Sequence, residues 1–594
     1  MAWLLGAALG LTCLGALAVS GVRLAHELSC TADEPGHLSA GLAYAQGDYR
    51  QSTANLFFTQ RWAAWPLSRA GQRPPAESLQ RELEWNPTWI GESLLFSGAS
   101  DPRTMLAPAR TMTLVLCLLG GVLVWAWASR LGGPWAGALA ALLYAACPVV
   151  LANGTLVTTD TGAALGYVGA TACYGWMLRR PSAVSAALTG ACAAMLGLSK
   201  FSVFAWVLGA ALLLAWRLRA APAPLAPLRL AAWHAAALLV AWACIWAFFG
   251  WEFRPGGHTY LSLEPVTKTE HAVAVMDRLR LLPEPVLREL LSLRGLLKPR
   301  PGYLLGEFRM GGFWYYFPVA FLAKSTLGML LALAAWLALR RGREGADVRP
   351  GMPAVVAGTL GYAVAALLSP LNIGVRHILP LYLFAAIAGG VALCRIGRRG
   401  PLWRTLTAAV AVLAAAEGYS ARRQPIAWFN ALWGGPMNGY RVMVESSLEW
   451  GGDLPQLGDW EKGLRARDQA SPVYVSLLGP PGYEHFGLPA ADLGSAFEGG
   501  LVRPGYFVFS ATRLVGGPWE FYGAWNDVLA HAWNIYGAGA WHRPLPRRLA
   551  QLAVARLAAS CRPLQPTQRI GPEYFVYHLD AGTLEAALGR LPAQ

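Results

Sequence analysis

The sequence predicts a polytopic α-helical membrane protein, and three observations predict it. Of the 594 residues, 55% are hydrophobic and only 14% are charged, a balance far from that of soluble domains. Apolar runs recur along most of the chain, many near the roughly twenty residues a helix needs to cross a bilayer. Basic residues gather in the short loops between those runs, so topology accounts for the net charge of +15 better than a nucleic-acid partner does. The 26 tryptophans fit aromatic belts at membrane–water boundaries.

Eleven spans are read, at about 2–22, 109–129, 135–152, 161–178, 183–199, 202–217, 229–250, 316–339, 354–369, 378–394 and 402–418. The first has no Lys or Arg before its apolar run, so it reads as an uncleaved span and not as a signal peptide. The 183–217 region holds two crossings or two shallow helices. With the N-terminus cytoplasmic, the inner loops carry Arg130; Arg179 and Arg180; Arg217, Arg219 and Arg229; Arg340, Arg341, Arg343 and Arg349; and Arg395, Arg398, Arg399 and Arg404. Only Glu344 and Asp347 oppose them, as the positive-inside rule requires. An odd number of spans then puts the C-terminus outside an inner (plasma) membrane.

This topology leaves three larger pieces outside. The loop 24–108 carries Trp62, Trp65, Trp85 and Trp89 among charged residues, which predicts short interfacial helices. The loop 251–315 contains an amphipathic stretch, Val286 to Leu297, that lies in the interface or packs on the body. A transmembrane domain of residues 1–420 is thus followed by 421–594, where apolar runs shorten. There, strand-like runs at 472–478, 505–510 and 574–578 and helical stretches near 547–560 and 583–591 predict an extracytoplasmic α/β domain. Seven of the nine cysteines sit in apolar spans, so Cys30–Cys561 is the bridge the pattern allows. The sequon Asn153-Gly154-Thr155 sits at a span edge and carries little weight.

Chemistry-bearing residues collect on the outer side. Asp33 and Glu34 follow the first span, where carboxylates are costly to keep and tend to mark function. Asp160 sits in a short outer turn, Lys200 between two spans, and Arg376 and His377 at the mouth of the tenth. Each has a plain alternative: Asp160 as a helix cap, Lys200 and Arg376 as snorkelling anchors, Asp33-Glu34 as a solvated loop. Together they run against the positive-inside bias and call for another reason. Cations at this face bind phosphate, Arg as a fork and Lys as a point charge. A nearby carboxylate takes a proton from an attacking hydroxyl. These parts describe glycosyl transfer from a polyprenyl phosphate sugar.

The run Asp33-Glu34-Pro35-Gly36-His37-Leu38-Ser39-Ala40-Gly41, with Tyr44 and Gly47-Asp48-Tyr49-Arg50, resembles the first-loop signature of bacterial lipid-carrier-dependent glycosyltransferases. These are relatives of the protein O-mannosyltransferases and of the lipid A aminoarabinose transferase. Gly311 to Pro318 with Lys324, Arg376 to Pro380, and Trp428-Phe429-Asn430 through Gly435-Pro436 to Glu445–Leu454 extend the resemblance to about residue 454. It implies a GT-C type fold (family 39-like), with Asp33 as catalytic base and Glu34 as its partner in orienting the acceptor. It further implies Lys200, Arg376 and His377 as donor-phosphate contacts, and Asp160, His37 and Tyr315 as substrate-binding residues. Asn86-Pro87-Thr88-Trp89 stands where an Asn-Pro-Pro-Leu run is usual, and Glu449–Asp453 is altered from the family pattern; both departures concern acceptor choice.

The expected protein is an inverting glycosyltransferase, taking a hexose or pentose from a polyprenyl phosphate to a hydroxyl of a protein, lipid or glycan. Membrane lipids are its other partners, and nucleic acid is not one. No cofactor is required; a divalent cation on Glu34 with His37 is allowed but unsupported, and no metal site is assigned. The rivals are a transporter or channel, and an inactive relative acting as an assembly subunit.

Overall fold

A computed structural model describes residues 1–52, 55–74, 86–98, 101–220, 227–261, 265–296, 298–341, 351–517, 521, 523 and 525–589. Trp85, Leu297, the inner-loop residues Arg343, Glu344, Asp347 and Arg349, and the last predicted helical residues beyond Gly589 lie outside them.

Each apolar run carries a helix, but not each is a simple crossing. Five unbroken helices are long and apolar enough to cross a membrane: Trp3–Glu27, Arg103–Gly132, Val203–Ala220, Pro227–Phe248 and Val375–Gly397. Two further runs are bent pairs, Pro134–Ala145 with Pro148–Gly154 at 67° and Tyr316–Lys324 with Leu327–Leu339 at 114°. By length and composition, five of the described helices, or seven if each bent pair is one span, pass as crossings, against the eleven expected. Ala183–Gly197 and Met352–Leu367 are shorter apolar helices. The first bend falls where Pro148 starts a new helix, since its ring cannot continue the old one. At the second, Asn430 Nδ2 donates to the carbonyls of Leu322 (2.7 Å) and Ser325 (2.9 Å). That amide satisfies backbone groups the bend frees, which an apolar environment demands.

Between the first and second long helices the chain folds into Glu34–Ala45, Phe58–Arg69 and Pro87–Phe96. Gly91 lets the last lie directly on the first, since a Cβ there would stand 1.9 Å from the Pro35 carbonyl oxygen. Trp65 and Trp89 are more than half exposed on these helices. Helix Glu284–Leu296 packs on the body: buried Glu289 accepts from Ser52 Oγ at 3.0 Å, and Arg288 donates to the Arg50 carbonyl at 3.0 Å.

A two-stranded hairpin, β1 (Pro301–Leu304) and β2 (Glu307–Met310), precedes the bent pair. After residue 472 comes a five-stranded mixed sheet of β3 (Val473–Ser476), β4 (Ala491–Asp492), β5 (Gly505–Ser510), β6 (Gln568–Ile570) and β7 (Tyr574–Leu579), in the order β4-β3-β5-β7-β6. β3 runs parallel to β4 and β5, while β7 runs antiparallel to β5 and β6. Helix Arg547–Cys561 matches the helical stretch near 547–560. Cys30 and Cys561 are both buried and free, in different apolar clusters, which corrects the expected bridge.

The stretch before the sheet is tied to the membrane helices. Buried Lys324 donates to the carbonyls of Ile426 (2.6 Å) and Ser447 (2.7 Å). Ala32 N–H donates to the Trp450 carbonyl at 3.0 Å, and Ser29 Oγ to the Gly451 carbonyl at 2.7 Å. These bonds set the turn carrying Asp33 against the segment 445–454.

Candidate active site

Asp33 stands at the N-cap position of helix Glu34–Ala45, yet its side chain caps nothing. It accepts instead from Arg376 Nη1, at 2.7 Å. Its side chain keeps 38% exposure, so one carboxylate faces both a cation and open space.

Arg376 comes from the short turn Val375–Ile378 that leads into helix Leu379–Gly397. Its guanidinium lies 4.0 Å from the Trp450 ring and its Nη1 is 3.8 Å from Asp160 Oδ2, so it bridges two carboxylates while stacked on an indole. Asp160 opens helix Asp160–Arg179 and pairs with Lys200 Nζ at 2.5 Å; it is more than a cap. Lys200 Nζ is also 3.2 Å from His377 Nδ1. An ammonium only donates, so that nitrogen accepts and the His377 proton sits on Nε2. Both His377 Nε2 and Arg376 Nε are buried without a hydrogen-bond partner among the described residues.

Asp33, His37, Asp160, Lys200, Arg376 and His377 line one cavity of about 620 Å³. The turn geometry thus brings six of the eight predicted residues together from four separate parts of the chain. His37 Nδ1 is held at 2.8 Å by Gln60 Nε2, and burial lowers its imidazole below the ordinary range. Apolar side chains also line the cavity, Phe201, Phe204, Leu293, Phe317 and Leu368 among them.

Two predicted residues do not join the cavity. Glu34 is fully buried and grips Arg110 through both oxygens, at 2.8 and 2.6 Å. It also accepts from the Thr31 and Val157 N–H groups. Burial pushes its carboxyl up, but Arg110 and those N–H groups outweigh burial and hold it below the ordinary range. The expectation that Glu34 orients an acceptor is corrected: its acceptor sites are used within the fold, and it positions the Asp33 turn. The same bonds take it out of any cation pair with His37, and no group of three or more His, Cys, Asp and Glu among the described residues is placed to hold a metal ion. Tyr315 packs with the Phe313 and Trp314 rings and does not line the cavity.

Three contributors escaped the sequence reading. Arg300 lines the cavity from the loop before β1, and the basic run Lys298-Pro299-Arg300 was the available signal. Arg110 near the N-terminal end of a long apolar helix was another cation needing a partner. Trp450 lies in the run Glu445–Leu454 that the resemblance covers, but nothing tied it to Arg376, because a stacking partner has no fixed spacing from its cation.

No protein-family model matches this sequence, and no curated protein does. Among solved structures the chain is similar to ArnT. In the apo state that protein, from Cupriavidus metallidurans, matches with a TM-score of 0.48 and 13% identity over 84% of this chain and 92% of its own. The same protein bound to undecaprenyl phosphate gives 0.47 and 14% over the same shares. The apo oligosaccharyltransferase of Archaeoglobus fulgidus gives 0.44 and 13%, over 85% of this chain and 70% of its own.

Proposed function

We propose that this protein transfers a monosaccharide from a polyprenyl phosphate to an acceptor hydroxyl at the outer face of the membrane. The observation that carries the reading is the cavity itself: two carboxylates, a lysine and two arginines share its lining with apolar side chains. A phosphate on a long hydrocarbon chain needs both kinds of lining.

The roles follow from the geometry. Lys200 and Arg376 receive the donor phosphate and neutralise it as it leaves, and stabilising charge that develops in the transition state is usually the greatest help an enzyme gives. The Nε–H of Arg376 and the Nε2–H of His377 are further donors for its oxygens. Asp160 holds Lys200 and steadies Arg376. Asp33 takes the acceptor proton as the new C1–O bond forms and the bond from C1 to the phosphate oxygen breaks, with inversion at C1. Arg376 is bonded to Asp33; phosphate competes for that guanidinium and leaves the carboxylate free to act as base. Acceptor choice among protein, lipid and glycan falls to the surfaces around Asp33.

The test compares a deletion strain complemented with the wild type or with Asp33→Asn, by mass spectrometry of envelope glycans, lipids and glycoproteins. One glycosylated species should return with the wild type and stay absent with Asp33→Asn at equal abundance. Its full return with Asp33→Asn would overturn the reading. Substrate uptake by reconstituted protein without transfer would favour a transporter.

A further inference from the structure

We propose that Glu445 is a positioning residue behind this site, whose carboxylate sets the charge Arg376 presents to phosphate. This rests on the function proposed above.

The backbone is the first observation. Glu445 has φ of +56°, in the left-handed region that a residue with a Cβ rarely adopts. Such a conformation costs about 1–3 kcal/mol and persists where the surroundings enforce it, as at functional sites. The surroundings here do enforce it. Glu445 N–H donates to Thr512 Oγ1 at 3.0 Å, and the Leu448 and Glu449 N–H groups both donate to the Glu445 carbonyl at 2.8 Å.

The second observation is a set of bonds to the Arg376 turn. Ser446 Oγ donates to the Ile373 carbonyl at 2.6 Å, and Ser447 Oγ accepts from the Val375 N–H at 3.0 Å. Gly374 permits this approach, since a Cβ there would stand 2.0 Å from Ser446 Oγ. Trp450, five residues on, carries the Arg376 guanidinium. The turn holding Glu445 and the turn holding Arg376 are therefore one bonded unit. A merely structural residue at 445 would be better served by glycine, which adopts this φ without strain.

The third observation is electrostatic. Arg376, Asp33 and Arg300 all act on the Glu445 carboxyl, and Glu445 acts in turn on Arg376 and on the Tyr316 phenol. Burial pushes the carboxyl up to about 7, with Asp33 adding to the rise and the two arginines opposing it. Such a group is half protonated at neutral pH. When Glu445 is ionised it adds a negative charge beside Arg376 and disfavours phosphate.

The experiment measures binding of undecaprenyl methyl phosphate to the full chain in nanodiscs. This phosphodiester keeps a single charge, so its own titration does not enter. Wild type should bind about tenfold more weakly near pH 8 than near pH 6, the factor that one pKa unit of coupling gives. Glu445→Gln and Glu445→Gly, the second free of backbone strain, should each bind equally at the two pH values within about twofold, and Glu445→Asp should restore the dependence. Titration of His37 or His377 would persist in all these variants. A pH-independent wild type, or a dependence that survives in both neutral variants, overturns the assignment and leaves the proposed function standing. No binding by wild type at either pH overturns both.

Discussion

Two ion pairs begin at adjacent residues and have opposite fates. Glu34 pairs with Arg110, and neither side chain has any exposure. Asp33 pairs with Arg376, and its carboxylate stays 38% exposed at the rim of the cavity. The first pair is closed: Glu34 takes two N–H groups besides its arginine, and Arg110 also donates to the carbonyls of Ala25, Leu28 and Ser29. The second is open: Arg376 is shared with Asp160, its Nε lacks a partner among the described residues, and Asp33 has room for another group. A buried charge with every position filled holds a fold together, while one with positions to spare is ready for a ligand.

The comparison breaks most sharply at the closed pair. Glu34→Gln leaves Arg110 buried without its counter-charge and should cost about 3–5 kcal/mol, read as loss of folded protein in detergent. Replacing both, as Glu34→Leu with Arg110→Met, should recover much of that loss; equal damage from the single and double variants would show that the pair is not a unit. Asp33→Asn should do the reverse, lowering transfer by about 10²–10⁴-fold. Its stability should move by no more than about 1 kcal/mol, because Asp33 is partly exposed and Arg376 keeps Asp160 as a counter-charge. A smaller effect is expected from Arg376→Lys, which keeps the charge but loses the fork and the stacking on Trp450. Undecaprenyl phosphate should bind about tenfold more weakly to it, by titration in nanodiscs.

The smallest effect concerns a carboxyl that is neither kind of pair. Glu449 is buried with a hydrogen bond from the Thr512 N–H, and burial pushes it up to about 7. A raised carboxyl favours the folded state below its ordinary range, and that stability is lost as pH rises through about 7. The slope should be at most about 1.4 kcal/mol per pH unit for one proton. Glu449→Gln should flatten the fall in melting temperature between about pH 6 and about pH 8 without abolishing it. Burial also raises the coupled Asp453–Glu573 pair, so part of the dependence remains. An unchanged slope would remove Glu449 from the account.

The amino-acid sequence by itself determined where the helices lie and which residue types could do chemistry. Apolar length and basic loops are local properties, and every predicted run carries a helix. Six of the eight proposed site residues share the cavity because costly polar groups near an apolar run stand out wherever they fall. Three matters were left to the tertiary structure. The bend after Lys324 depends on Asn430, more than a hundred residues from the carbonyls it satisfies. The separation of Asp33 from Glu34 depends on which arginine each meets, Arg376 or Arg110, and neighbours in a chain have no way to reveal that. Glu445 stood in a run the sequence had singled out, but its tie to the Arg376 turn became visible only through its backbone angle and through the bonds from Ser446 and Ser447. Pairing and burial are long-range properties, so composition and spacing name the candidates while packing decides what each one does.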